Sequence, residues 1–190
     1  MKRISIILLL LLFISASQGN LFAEIIECIK IDNLYYDLNT ETGCATVRDK
    51  ETGYHASSYY GGTYVIPECV EHNNQKFVVT AIAEYTFCKA GNSNHVLYVT
   101  LPKTLCKIGR SAFKYALGLF SIVIPEGITT LPDAVFSDCE NLRSVKLPST
   151  LTTIESSAFY GCYLTEITFP QSLKSIGAYA FAYHGFDETI

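Results

Sequence analysis

Apolar positions recur through the second half of the chain with a period of 22 to 23 residues. Phe113, Phe136, Phe159 and Phe181 stand 23, 23 and 22 apart. A small residue precedes each one (Ala112, Val135, Ala158, Ala180), and an aliphatic residue lies five positions before it (Ile108, Leu131, Ile154, Ile176). Pairs of an apolar residue and proline keep the same step: Leu101-Pro102, Ile124-Pro125, Leu147-Pro148 and Phe169-Pro170. Ahead of each pair, apolar residues fall five and two positions earlier, at Val96 and Val99, Leu119 and Ile122, Leu142 and Val145, Leu164 and Ile167. Residue class and period hold together over three to four copies, as expected of a stack of similar coils.

The spacing sets the local structure. Val145 and Leu147 are two apart and share a face, which is the period of a β-strand. Pro148 lacks an N–H and ends the strand. Ile154 to Phe159 then predicts a short helical or 3-10 return. One such coil cannot bury its own apolar side chains, whereas stacked coils set Leu on Leu, Ile on Ile and Phe on Phe. The expected fold is therefore a β-rich solenoid with short helical or 3-10 returns and one face of parallel strands. Its expected core holds Ile108, Phe113, Leu131, Phe136, Val145, Leu147, Ile154, Phe159, Ile176 and Phe181. Residues 81–190 supply four to five coils, the last incomplete. The stretch from Cys88 to Val96 is longer than its counterparts and should bulge. Cys139 and Cys162 take a place held elsewhere by Ala116 and His184. Either they are small reduced thiols in the core, or they form a disulfide between neighbouring coils.

Residues 20–65 show apolar alternation instead, and 20–80 read as a β-rich N-terminal cap with a first partial repeat. Ile29, Ile31 and Leu34-Tyr35-Tyr36 suggest one strand, and Ala45-Thr46-Val47 its partner across the turn Asn39 to Gly43. Lys76 to Val79 forms a second hairpin after the polar turn Glu71 to Gln75. These hairpins are expected to cover the apolar end of the first coil. The tyrosine-rich stretch Gly53 to Gly62 is a surface loop or a contact site, since tyrosines combine area with a polar tip.

Residues 1–19 read as a secretory signal: Lys2 and Arg3, the apolar run Ile4 to Ile14, then the small residues Ser15 to Gly19. The run is shorter than the roughly 20 residues needed to span a bilayer. The first cysteine, Cys28, lies well beyond it, so no lipid-attachment cysteine follows. The expected location is outside the cell or at its surface. Apolar residues make up 49% of the chain and charged ones 17%, too apolar for disorder. Without Lys2 and Arg3, 12 basic residues face 18 acidic ones, a net charge of −6. No basic cluster stands out, so neither nucleic acid nor an anionic membrane is an expected partner. The cysteine count of seven is odd and contains no CxxC pair, so no full disulfide framework is implied.

The copies LRSVKLPSTLTTIESSAFYGC, SIVIPEGITTLPDAVFSDC and EITFPQSLKSIGAYAF resemble the BspA-like, or treponemal-type, leucine-rich repeats. The segment from Ile31 to Phe87 is similar to the β-rich leader that often precedes such repeats in exported proteins of Bacteroides-type bacteria. The resemblance covers roughly residues 27–190. It implies a leucine-rich-repeat solenoid and a secreted or surface protein, some members of the family being adhesins for host matrix proteins or other bacteria. The chain stops at Phe186 to Ile190, where a further strand is due and no polar capping segment follows. That predicts a truncated product, or a last coil that is frayed or paired with another molecule.

No catalytic constellation emerges. His55, His72, His95 and His184 lie at no metal-binding spacing. There is no G-x-S-x-G elbow, no phosphate-binding glycine loop and no calcium loop. Asp133, Asp138, Glu140 and Glu166 fall at exposed repeat positions. No catalytic, cofactor or metal residues are therefore assigned, and no cofactor is expected. With Val145 and Leu147 inward, Ser144 and Lys146 face outward. Aligned coils then give the rows Tyr98, Ser121, Ser144, Glu166 and Thr100, Val123, Lys146, Thr168, flanked by Phe120 and Arg143. Tyr98, Thr100, Phe120, Val123, Arg143, Lys146 and Glu166 are the candidate protein-binding face. The expectation is a non-enzymatic binding or adhesion module for an extracellular protein or glycan. The alternative is a structural subunit or truncated fragment that docks, or self-associates, by its C-terminal edge.

Overall fold

The computed structural model describes residues 25–50, 62–90 and 97–183. The expected secretory signal, nearly all of the tyrosine-rich loop, Val96, His184 and the final residues lie outside them.

The first three strands form an antiparallel sheet: β1 (Ile25–Ile31), β2 (Leu34–Asn39) and β3 (Cys44–Arg48). One strand was expected across Ile29 to Tyr36. The chain instead turns at Asp32, at φ 54°, a left-handed conformation that Asp tolerates through local hydrogen bonding. The next turn closes as expected: the Asn39 side chain accepts the N–H groups of Glu41 and Thr42, and Gly43 supplies a φ of 65°. Leu34, Tyr36 and Leu38 alternate inward on β2, and Ala45 and Val47 on β3.

The sheet runs on into the first coil. After β4 (Gly62–Val65), the hairpin of β5 (Cys69–His72) and β6 (Gln75–Ile82) turns through Asn73 and Asn74, both at positive φ. The first part of β6 pairs with β5. Its later part pairs with β3 in parallel and with a strand of the following coil. That coil and its successors contribute β7 (Leu97–Thr100), β8 (Lys107–Ile108), β9 (Ser121–Val123), β10 (Thr130–Leu131), β11 (Ser144–Lys146), β12 (Thr153–Ile154) and β13 (Ser175–Ile176).

Two parallel ladders run along the stack. One joins β4 to β7, β7 to the next coil through Leu97 and Leu119, β9 to β11, and Ser144 to Glu166. The other carries the aliphatic row Val47, Ile82, Ile108, Leu131, Ile154, Ile176, with neighbours paired from β3 to β8 and from β10 to β13. The segment from Gly62 to Phe87 is thus itself a coil, with Ile66-Pro67, Ile82 and Phe87 at the repeat positions. Pro67 to Ile82 is nine residues longer than Pro102 to Ile108, and the β5–β6 hairpin occupies the excess.

The returns differ from the expected helical segments. Among the described residues there is no α-helix or 3-10 helix. In one return, Ala112, Lys114 and Ala116 donate three residues back, to Gly109, Ser111 and Phe113. The intervening Ser111, Phe113 and Tyr115 donate instead to Asp133, Val135 and Ser137 of the next coil. A 3-10 helix would keep every one of these N–H groups inside its own coil. The alternation requires left-handed backbone two residues before and two after each Phe, at Ser111 and Tyr115, Ala134 and Asp138, Ser157 and Gly161.

Phe87, Phe113, Phe136, Phe159 and Phe181 form one column, with centroids 5.1 to 5.4 Å apart and rings within 21° of parallel. Ile108, Phe113, Leu131, Phe136, Val145, Ile154 and Phe159 are buried, while Leu147 and Phe181 are partly buried. Ile176, expected in the core, is 49% exposed, because no further described coil lies on it. None of the seven cysteines forms a disulfide. Cys139 and Cys162 are buried, and each donates its S–H at 3.0 Å to a carbonyl of the preceding coil, Phe113 and Phe136 respectively. The disulfide alternative for this pair is not what the structure shows: the two sulfurs are unbonded, each directed at a backbone carbonyl.

Candidate functional site

The first ladder presents its alternate residues to solvent because each strand is pleated and its inward residues fill the core. Leu97, Val99, Ile122 and Val145 point in. Tyr98, Thr100, Val123, Ser144 and Lys146 point out. Leu97 fills the inward position that the repeat assigned to Val96, so this coil enters its strand one residue late.

Several apolar side chains of this face are exposed. Val65 on β4 is 62% exposed, Tyr98 56%, Phe120 43% and Val123 61%. Val65 pairs with Thr100 and so lies in the outward row of Thr100, Val123 and Lys146, beside the row that holds Tyr98. Sequence reasoning began the row one coil later, although Val65-Ile66-Pro67 carries the repeat's strand ending. A groove of about 590 Å³ opens where these strands end. Leu101, Ile124 and Leu147, the residues before the prolines, are among its lining, with Tyr98, Thr100 and Val123 beside them. Lys103, Glu126 and Lys146 supply its charge. A second groove of about 510 Å³ adjoins it, sharing Glu126, Lys146 and Leu147 and adding Ser149, Glu166 and Thr168.

The structure thus gathers Tyr98, Thr100, Val123 and Lys146 around one groove and sets Glu166 in the next. Phe120 and Arg143 line neither. Arg143 lies over the Tyr163 ring, 5.5 Å from its centroid, and donates to the Glu140 carbonyl, so its charge is held at the strand entrance. Lys103 and Glu126 were not singled out by sequence because they follow the prolines, beyond the alternating strand. Stacking brings them to the groove.

Electrostatically the groove is mixed. The Ser149 hydroxyl donates to Glu126 Oε2 at 2.8 Å. That bond, then the backbone N–H groups of Ser149 and Thr150 and the Lys146 charge, hold the Glu126 carboxyl below its ordinary range. Among the described residues neither Lys103 nor Lys146 has a carboxylate within 4 Å. No group of three or more His, Cys, Asp or Glu among them is arranged to hold a metal ion. No described helix is long and apolar enough to cross a membrane. The arrangement offers shape, apolar area and a few charges, which is the chemistry of recognition.

Residues 68–186 match the family model for the BspA type leucine-rich repeat region, in six copies. Among solved structures, the chain is similar to a leucine-rich repeat protein from Bacteroides ovatus, at 29% identity and a TM-score of 0.70, over 80% of this chain and 38% of that one. It is also similar in fold to the pneumococcal vaccine antigen PcpA, at 21% identity and a TM-score of 0.59, over 85% of this chain and 48% of that one. A leucine-rich repeat protein of T. pallidum aligns at 17% identity and a TM-score of 0.50, over 80% of this chain and 82% of that one. The chain therefore spans less than half the length of the first two. No curated protein matches it.

Proposed function

The chain belongs to the BspA-type leucine-rich repeat family, and from that premise we propose that it is a non-enzymatic adhesion module that binds an extracellular protein through its exposed strand face. Leucine-rich repeats generally mediate protein interactions and are typically not catalytic. The observation that carries the reading is the set of exposed apolar residues Val65, Tyr98 and Val123, on three successive strands of the face, beside the groove that Tyr98, Val123 and Lys146 line. Single exposed apolar residues are ordinary, whereas a contiguous patch beside a concavity marks a contact site. The signal-like pattern of residues 1–19 supports action outside the cell or at its surface.

The reading is tested by surface plasmon resonance of the chain against a panel of soluble extracellular matrix glycoproteins. At least one should bind saturably. Val123→Asp should weaken that binding about tenfold or more without changing the melting temperature, since the side chain is 61% exposed. Unchanged binding by Val123→Asp and Tyr98→Ala would move the contact to another surface.

A further inference from the structure

The groove between Tyr98 and Lys146 carries more than a general affinity for protein. Its size suits a single bulky side chain with its neighbours, and its residues are mostly apolar. Leu101, Ile124 and Leu147 come from three successive coils, so the apolar lining runs across the strands, along the solenoid axis. An extended segment laid along that axis meets a new coil about every 4.8 Å, the spacing of neighbouring strands.

The charges at this groove are not equivalent. Glu126 is occupied by the Ser149 hydroxyl, which draws its carboxylate toward the next coil. Lys103 and Lys146 also line the groove, and no described carboxylate approaches either within 4 Å. An incoming carboxylate would therefore find two ammonium groups with no contacting acid, beside one acid already hydrogen-bonded. An incoming ammonium would have only Glu126, and would compete with Ser149 for it.

We propose that this groove takes an extended acidic segment of the partner protein, with one large apolar side chain seated between Tyr98 and Leu147 and a neighbouring Asp or Glu held by Lys146 and Lys103. This rests on the strand-face reading above and adds the chemistry of the occupant. Complementary charge at such a site governs choice of partner as well as affinity.

The test uses the full chain and short fluorescein-labelled peptides in fluorescence anisotropy. The probe alternates Asp and Phe. The comparison peptides replace Asp by Lys, or Phe by Ser. The Asp-Phe peptide should bind saturably, and each comparison peptide about tenfold more weakly or worse. Lys146→Glu, at an exposed position, should keep the melting temperature, weaken the Asp-Phe peptide about tenfold and favour the Lys-Phe peptide. Equal binding of the Asp and Lys peptides, no binding of the Asp-Phe peptide, or indifference to Lys146→Glu each overturns the proposal. So does concentration-dependent dimerisation abolished by Val123→Asp, which would make a second copy the occupant. If these peptides fail while Val123→Asp still removes matrix-protein binding, the strand-face function stands and only the acidic occupant is lost.

Discussion

At the residue scale, the informative side chains are the ones the repeat leaves small. Cys139 and Cys162 stand where the Phe113 coil carries Ala116, and each donates its S–H to a carbonyl of the coil before it. Burial pushes the Cys162 thiol up to about 12, and burial with the neighbouring Cys162 drives Cys139 well above its ordinary value. In the unfolded chain both thiols ionise near their ordinary value of about 8.5. Their contribution to stability is therefore fully present below that pH, and it is lost as the pH rises toward the folded value. The loss should run at about 1.4 kcal/mol per pH unit for each thiol that ionises only on unfolding. Urea titrations at rising alkaline pH should show this fall, and Cys162→Ala should make it shallower. An unchanged slope in that variant would mean the thiol is not the group responsible.

At the element scale, the returns depart from the expected helices. The alternation of bonds within and between coils needs left-handed residues at two positions per return, and most are not glycine. Ser157 sits at φ 56° and Gly161 at φ 67° in the same return. A left-handed side-chain residue costs about 1–2 kcal/mol, so Ser157→Gly should stabilise the protein by up to about 1 kcal/mol after the added chain entropy of glycine. Gly161→Ala should destabilise it by about 1–2 kcal/mol, since its new Cβ would also lie 3.0 Å from the Asp138 carboxylate. Chemical denaturation measures both, and effects of the opposite sign would mean that the returns are helical after all. The phenylalanine column was legible in the sequence because Phe113, Phe136, Phe159 and Phe181 share one period. The returns were not, because Ser111, Tyr115 and Ala134 carry no mark of a left-handed backbone. The coil from Gly62 to Phe87 was hidden by the β5–β6 hairpin, which breaks the spacing between Pro67 and Ile82. The outward rows of the strand face followed from alternation alone. The groove did not, since Lys103, Glu126 and Leu147 meet there only when separate coils are stacked.

At the scale of the whole molecule, the two ends of the described stack are unequal, and that should govern how the described coils open. A solenoid's stability is roughly a sum over coils and the contacts between neighbours. At the N-terminal side β3 continues the aliphatic ladder, so Ile82 is covered by Val47 and both are buried. The Arg48 and Asp37 side chains pair at 2.9 Å there, and the Asp37 carboxylate also accepts the Cys28 N–H, tying β1 to β2 and β3. At the far side Ile176 is half exposed, and Tyr179 and Tyr183 are exposed. Each coil donates its alternate N–H groups forward, so the amides of Phe113, Phe136 and Phe159 are held by the coil that follows. Amide hydrogen exchange tracks the free energy of local opening, which falls where few buried apolar contacts hold a segment. Protection should therefore be greatest for Phe113 and Phe136, remain high at Ile82, and decline from Phe159 to Ala182, whose amide is bonded only within its own coil, to Tyr179. Asp37→Asn, by loosening the first sheet, should lower protection at Ile82 before it affects Phe159. Uniform protection along the stack, or greatest protection at Ala182, would show that the coils open together and that the asymmetry of the ends has no energetic consequence.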